Sequence, residues 1–73
     1  MDIAKLVGEN LKIARKSKGL TQKEVAEILF MTQQQYSRFE NGIFELNYKQ
    51  ILKLCKICDL TPNELFDIDL KDF

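Results

Sequence analysis

The chain has 73 residues, of which 45% are hydrophobic and 30% charged, and it has no net charge at pH 7. This length predicts one domain with a small core, which dimerisation would help to stabilise, and the hydrophobic fraction argues against disorder. The chain has no histidine and only two cysteines, so neither a structural zinc site nor a histidine-based catalytic site is predicted. The sequence also has no glycine-rich loop of the kind that binds phosphate. We therefore expect no enzymatic activity, metal or cofactor, and the sequence indicates no small-molecule ligand.

Two features bear on where the protein resides. The N-terminus lacks a basic segment followed by an apolar run, so no secretory signal is predicted. The longest apolar run, residues 28–31, is far too short to span a membrane. We therefore expect a cytoplasmic location, in which both cysteines stay reduced.

The charges are unevenly distributed along the chain. Residues 1–58 contain ten Lys and Arg against six Asp and Glu, a net charge of +4, whereas residues 59–73 contain one Lys against five acids, a net charge of −4. A basic body with an acidic tail is compatible with a nucleic-acid surface and an opposite surface turned away from it. The same charges also fit an ordinary solvated surface, so charge alone does not decide.

Local capping patterns predict where the helices begin. Each pattern has a Thr or Asn followed three residues later by Glu or Gln, and both side chains can bond free backbone N–H groups. The four capping residues are Thr21, Thr32, Asn47 and Thr61. Asp2 is expected to cap an earlier helix. The sequence thus predicts helices at about 2–17, 21–29, 32–41, 47–58 and 61–67, in an all-α domain of residues 1–67 followed by an acidic and apolar tail of residues 68–73.

The spacing of apolar residues supports these helices, because they recur every three or four positions as on one helix face. The residues expected to face the core are Ile3, Val7, Leu11, Ala14, Val25, Ala26, Leu29, Tyr36, Phe39, Ile51, Leu54, Cys55, Cys58, Leu65 and Phe66. Leu20 and Met31, in the turns, are expected to fill the core as well. Gly19 and Gly42 can adopt the left-handed conformation that ends a helix.

The helices at 21–29 and 32–41 are separated by a short turn, and the second opens with Thr32-Gln33-Gln34-Gln35. Arg38 follows Gln34 by one helical turn and lies on the same side. Gln and Arg side chains match the hydrogen-bonding edges of adenine and guanine in the major groove. The pattern predicts a DNA-reading helix, although these glutamines also fit an ordinary polar surface.

Further residues occur in a fixed order through most of the chain: Leu11, Arg15, Gly19-Leu20-Thr21-Gln22, Val25-Ala26, Leu29, Glu40-Asn41-Gly42, Leu52-Lys53-Leu54 and Glu64-Leu65-Phe66. With them, the run from Leu11 to Phe66 resembles the Cro/CI-type, or XRE-like, helix-turn-helix domain of phage and bacterial repressors. The resemblance implies a compact five-helix, lambda-repressor-like fold. It also implies a sequence-specific regulator of transcription, most simply a repressor, that binds double-stranded DNA as a homodimer with helix 32–41 in the major groove.

The resemblance implies a role for each matching position. The expected base contacts are Gln33, Gln34 and Arg38, and a phosphate is the alternative partner for Arg38. The expected phosphate contacts are Gln22, Lys23 and Asn41. Arg15 and Glu40 match an ion pair that joins the first helix to the recognition helix, and such a pair is costly to break when it is buried. An exposed pair, worth little to stability, is the alternative.

The chain departs from the family pattern at three places. Phe30 stands where the turn usually has Gly, and a positive φ there would strain a bulky residue by ~1–2 kcal/mol. Asp59 replaces the Gly that usually ends the fourth helix. The loop after the recognition helix reads Ile43-Phe44-Glu45-Leu46 instead of offering Lys or Arg, so we expect weak non-specific affinity for DNA.

Two groups of residues leave alternatives open. Cys55 and Cys58 have C-x-x-C spacing, which can indicate a redox pair or zinc, but they fall late in a helix, where core packing is the better interpretation. Six apolar residues lie outside the expected core and form either a cover over its edge or a dimer contact: Ile43, Phe44, Ile57, Ile68, Leu70 and Phe73. We favour the dimer contact, for which Ile57, Ile68, Leu70 and Phe73 are the candidates. A second function is also compatible with the sequence: a protein-interaction module of the same fold that does not bind DNA.

Overall fold

The computed structural model describes residues 2–68, and within them the chain forms five α-helices and no strand. The helices are α1 (Ile3–Ser17), α2 (Gln22–Ile28), α3 (Gln33–Glu40), α4 (Tyr48–Ile57) and α5 (Pro62–Phe66). The all-α, five-helix prediction is confirmed. Each helix is one residue shorter at either end than predicted, apart from the C-terminus of α1, because the predicted ranges include the capping residues. No helix in residues 2–68 is long and apolar enough to cross a membrane.

Each helix begins at its predicted cap. The side chains of Thr21, Thr32, Asn47 and Thr61 all accept a hydrogen bond from the backbone N–H three residues later, and the Glu or Gln at that position accepts one from the N–H of the cap. Asp2 likewise accepts a bond from the N–H of Lys5 at 3.2 Å. These bonds are local in sequence, and this is why the sequence alone indicates them.

The core lies where α1 packs against α3 and α5, α2 against α3, and α4 against α5. The buried apolar residues are Val7, Leu11, Val25, Ala26, Leu29, Tyr36, Leu54, Cys58 and Leu65. Two predictions are wrong. Ile3, expected in the core, is 59% exposed because it stands in the first turn of α1 at the rim of a groove. Ile57, expected outside the core, packs against it because it lies one turn beyond Leu54.

Two glycines allow α1 to approach the end of α3 closely. A Cβ atom on Gly8 would lie 2.4 Å from the carbonyl oxygen of Glu40 and 2.6 Å from that of Phe39. A Cβ on Gly42, which has a φ of 72°, would lie 2.6 Å from Cγ of Lys5. The backbones of α1 and α3 are therefore in direct contact, and no larger residue fits between them without a shift.

The turn between α2 and α3 keeps the geometry that usually calls for glycine. Phe30 has a φ of 56°, and its side chain is 92% exposed. The N–H of Met31 donates to the carbonyl of Ala26 at 3.0 Å, which closes the turn. Asp59 also keeps a positive φ, of 53°, but Asp tolerates this region better than Phe does.

Candidate nucleic-acid interface

A concave polar surface is formed where the start of α2 meets α3. It is lined by Gln22, Gln33, Gln34, Ser37 and Arg38. Gln33 and Gln34 are the first two residues of α3 and are exposed. The opposite side of α3 carries Tyr36, which is fully buried. The helix is therefore anchored by one side and presents hydrogen-bonding groups on the other.

The third glutamine of the run has a different role. Oε1 of Gln35 accepts a hydrogen bond from the N–H of Thr32 at 3.0 Å, and the hydroxyl of Thr32 accepts one from the N–H of Gln35 at 3.1 Å. Gln35 thus completes the cap of α3. Only Gln33 and Gln34 of the three glutamines line the polar surface.

A buried ion pair joins α1 to the end of α3. Nε of Arg15 donates to Oε2 of Glu40 at 2.6 Å, and Nη2 donates to Oε1 at 3.2 Å. Arg15 is 6% exposed and Glu40 5% exposed. The guanidinium also donates from Nη1 to the carbonyl of Leu20 at 2.7 Å. The two partners expected from the sequence therefore meet in a bidentate, buried pair, and the alternative of an exposed pair is excluded.

The same carboxylate orients the polar surface. Nε2 of Gln22 donates to Oε1 of Glu40 at 3.0 Å, and Oε1 of Gln22 accepts from Nε2 of Gln33 at 3.5 Å. A chain of side-chain contacts thus runs from Arg15 through Glu40 and Gln22 to Gln33. The amide nitrogen of Gln22 carries a second N–H, so one donor remains for a phosphate.

The charge state of this network follows from its contacts. Burial by itself would raise the pKa of Glu40, but the hydrogen bonds that it accepts, from Arg15 foremost, outweigh burial and lower its pKa. The same hydrogen bond raises the pKa of Arg15. Burial, together with the nearby Glu40 carboxylate, raises the pKa of Tyr36. At neutral pH, Arg15 and Glu40 are therefore charged and the Tyr36 hydroxyl is neutral. That hydroxyl is buried and has no partner in hydrogen-bonding geometry within residues 2–68.

Arg38 stands at the edge of the polar surface and is exposed. Its guanidinium carbon lies 5.7 Å from the centre of the Phe44 ring, within cation–π range. From the sequence, Phe44 was expected in a cover over the core edge or in a dimer contact, and a contact with Arg38 was not predicted. Phe44 lies in the loop where the family usually has Lys or Arg. Its contact with Arg38 joins a helix to the loop that follows it, and the apolar spacing along a helix does not indicate such a contact.

The two remaining phosphate candidates flank this surface. Lys23 is exposed at the second position of α2. Asn41 is exposed at the C-terminal end of α3, and its Nδ2 donates to Oγ of Ser37 at 3.2 Å. Both side chains are accessible to a ligand that lies across the ends of α2 and α3.

The dimer candidates differ in their surroundings. Ile57 packs on the core, whereas Ile68 is 42% exposed. Leu70 and Phe73 lie outside the described residues. Two exposed residues on one side of α4 were missed by the sequence analysis: Tyr48, at 87%, and Leu52, at 60%. Their spacing of four residues is the signal that could have indicated them.

The cysteines belong to the core rather than to a reactive site. Cys58 is buried and Cys55 partly buried, and burial raises the pKa of both thiols. Thiols with a raised pKa are poor nucleophiles. Within residues 2–68, no group of three potential metal-ligating side chains comes together.

These features define an all-α protein with a helix-turn-helix at α2 and α3. A family model described as "Helix-turn-helix" matches residues 11–65, and the chain belongs to this family of transcriptional regulators, in its XRE-like branch. The predicted family is thereby confirmed.

Three similar proteins illustrate the relationship. The chain is 38% identical over 60 residues to the uncharacterized HTH-type transcriptional regulator YqaE of Bacillus subtilis (strain 168), covering 82% of this chain and 52% of that protein. It is 35% identical over 71 residues to the SPbeta prophage-derived uncharacterized HTH-type transcriptional regulator YonR of the same organism, covering 88% and 66%. The chain thus spans about half and about two thirds of the lengths of these curated relatives. The crystal structure of the restriction-modification controller protein C.AhdI from Aeromonas hydrophila superposes with a TM-score of 0.75 at 32% identity, covering 89% of this chain and 93% of that chain.

Proposed function

We propose that this protein binds double-stranded DNA sequence-specifically, with α3 in the major groove, and thereby represses transcription. The observation that carries the proposal is the exposed polar side of α3, on which Gln33, Gln34 and Arg38 line one concave surface. These side chains can form paired hydrogen bonds with purine edges. The buried opposite side, with Tyr36 at 0% exposure, keeps the helix in a defined orientation.

In this arrangement, base contacts and phosphate contacts come from different residues. Gln33, Gln34 and Arg38 would contact bases. Gln22, Lys23 and Asn41 would contact the phosphates on either side of the groove and set the position of α3, since backbone contacts orient a protein without specifying sequence. Residues 1–67 would form the DNA-binding domain. We also propose that the protein is located in the cytoplasm.

The proposal includes a homodimer whose two copies of α3 contact half-sites ~34 Å apart, one turn of DNA. A small domain with an apolar loop in place of the usual basic one gains affinity when two half-site contacts are linked. Ile68, Tyr48 and Leu52 are exposed apolar side chains that could form the contact between copies. Leu70 and Phe73 remain candidates from the sequence.

The experiment that tests DNA binding is selection of bound sites from a pool of random duplex DNA, followed by affinity measurements on the selected site at several salt concentrations. We expect a two-fold symmetric site and an affinity that falls steeply with salt, because bound phosphates release counterions. If no sequence is enriched above the starting pool, the proposed function is wrong.

A second candidate function is that of a protein-interaction module without DNA binding. An apolar groove of about 240 Å³ favours it; the groove lies between the start of α1 and the loop after α3, with Ile3, Phe44 and Phe66 among its lining residues. This function predicts that no duplex is selected and that any partner binds with little dependence on salt. The selection experiment therefore separates the two candidates.

A further inference from the structure

We propose that Phe44 is a positioning residue that sets the base specificity of Arg38. The inference rests on the proposed function, because it concerns how one of the base-contacting side chains is held. Its structural basis is the cation–π contact in which the Arg38 guanidinium carbon lies 5.7 Å from the centre of the Phe44 ring. Phe44 itself stands outside the group of residues that line the polar surface.

The loop that carries Phe44 is fixed to the end of α3 by its backbone. The carbonyl of Arg38 accepts a hydrogen bond from the N–H of Ile43 at 2.9 Å and a longer one from the N–H of Phe44 at 3.4 Å. Gly42, in the left-handed conformation, packs against Lys5 of α1. Arg38 therefore contributes twice: its side chain contacts Phe44, and its backbone carbonyl anchors the loop that carries Phe44.

The Phe44 side chain is also held by residues other than Arg38. Phe44 lines the apolar groove together with Ile3, Leu46 and Phe66. With all of its neighbours in place, Arg38 included, Phe44 is 51% exposed, so about half of the residue is covered. A ring held in this way restricts the guanidinium more than a freely rotating surface side chain would.

The cation–π contact is compatible with hydrogen bonding by Arg38. A guanidinium that lies face-on to an aromatic ring keeps its five N–H donors in its own plane, directed away from the ring. Arg38 can therefore rest on Phe44 and still donate two bonds to one guanine. The contact removes part of the side-chain entropy that an unrestrained arginine loses on binding, which favours the correct base over others.

The test compares sites selected by the unaltered protein with sites selected by matched variants. Arg38→Ala first identifies the base position that Arg38 controls, as the position at which preference is lost. Phe44→Leu keeps an apolar side chain in the groove but removes the aromatic face. We expect it to reduce the preference at that same position by about two- to fivefold, the size of a surface cation–π contact, and to leave the positions controlled by Gln33 and Gln34 unchanged.

Three controls separate positioning from a general loss of structure. Phe44→Tyr keeps the aromatic face and should restore the full preference. Ile43→Val alters the adjacent exposed side chain of the same loop and should change nothing. In the Arg38→Ala background, Phe44→Leu should cause no further change at the identified position. In the free protein, the Arg38 side-chain protons should show a ring-current shift in their NMR resonances that Phe44→Leu abolishes.

The outcomes are distinguishable. If the unaltered protein selects a site and Phe44→Leu selects it with the same base preferences, the inference is wrong while the proposed function stands. If Phe44→Leu weakens all positions equally, Phe44 acts through the fold and the inference is again wrong. If the unaltered protein selects no site, both the proposed function and this inference are overturned.

Discussion

Gln33 and Gln34 are neighbours on the same surface, but their side chains are held differently. Gln33 donates to Gln22, which in turn donates to Glu40, whereas Gln34 makes no side-chain hydrogen bond within residues 2–68. Gln34 is therefore the side chain whose effect on DNA binding can be measured with the least disturbance of its surroundings.

For Gln34→Ala, we expect a loss of preference at one base position that costs ~1–3 kcal/mol on the specific site, with affinity for unrelated DNA nearly unchanged. Gln33→Ala should also alter general affinity slightly, because Gln22 loses a partner. Titration of both variants with specific and random duplexes measures these effects. Gln35→Ala is the matched control, since it should lower stability through loss of the cap without changing base preference. Equal losses on specific and random DNA would contradict a base-contacting role.

The ion pair between Arg15 and Glu40 predicts a dependence of stability on pH. Arg15→Met leaves the Glu40 carboxylate buried without its main partner, so we expect a loss of ~3–5 kcal/mol in the free energy of unfolding at pH 7. In the unaltered protein the pKa of Glu40 is lowered. Its contribution is therefore fully present above the usual glutamate pKa of about 4.3 and is lost as the pH falls through the lower folded value.

The difference in the free energy of unfolding between the unaltered protein and Arg15→Met should consequently shrink as the pH is lowered and Glu40 becomes protonated. In the variant, protonation relieves the unpaired charge, whereas in the unaltered protein it breaks the pair. Denaturant unfolding at several pH values measures this. A difference that stays constant from pH 7 to pH 3 would show that the carboxylate charge is not the cause.

Phe30 combines a strained backbone with a side chain that contributes little burial. Its φ is 56° and its side chain is 92% exposed. For Phe30→Gly we expect a stability that is unchanged or higher by up to ~1 kcal/mol, because relief of the left-handed strain exceeds the added entropy of glycine in the unfolded chain. Thermal unfolding measures the change, and Asp59→Gly, at a position with similar φ, should gain less. A clear loss of stability would mean that the Phe30 ring contributes a contact that its exposure does not reveal.

At the scale of the helices, the contact between α1 and α3 depends on Gly8. Alanine favours a helix interior over glycine by about 1 kcal/mol, so intrinsic propensity alone predicts that Gly8→Ala stabilises the protein. The structure predicts the opposite sign, since the added Cβ would lie 2.4 Å from the carbonyl oxygen of Glu40. We expect a net loss of about 1–3 kcal/mol, measured by denaturant unfolding.

Gly19→Ala provides the comparison for Gly8→Ala. A Cβ on Gly19 would meet no atom within 4 Å, but its φ of 72° strains any side chain. The loss of stability in Gly19→Ala should therefore reflect backbone strain alone. Should Gly8→Ala prove more stable than the unaltered protein, α1 and α3 must be able to separate slightly without cost.

The starts of the helices could be predicted because each capping bond joins residues three apart in sequence. Interactions between helices could not be predicted in the same way. Arg15 and Glu40 were expected to pair only through resemblance to a family. The role of Gly8 was not predicted, because a glycine within a helical sequence does not indicate which other helix packs closely against it. Ile3 was wrongly assigned to the core because apolar periodicity shows which side of a helix a residue lies on. It does not show whether another element packs against that part of the helix.

At the scale of the whole molecule, the proposed homodimer leads to a prediction about operator binding. We expect a homodimer that is weak in solution and stabilised on a two-fold operator. Removing residues 68–73 should leave the helical circular-dichroism signal intact and reduce cooperative binding to the full operator. Binding to a single half-site serves as the control and should be unchanged. If the truncated chain binds the full operator as tightly as the intact one, the tail is not part of the contact. The better candidates are then α4, with Tyr48 and Leu52, or the loop of Ile43 and Phe44.

The direct backbone contact between α1 and α3 also has a consequence for how specificity can change. Because Gly8 and Tyr36 fix the inner side of α3, the outer positions can be exchanged without altering the helix that presents them. Gln34 belongs to this exchangeable set. Gln33 and Arg38 belong to it less completely, since Gln33 is joined through Gln22 to the buried carboxylate of Glu40 and Arg38 contacts Phe44. New operator preferences should therefore be reached most easily, in the laboratory or during divergence, by substitutions at Gln34.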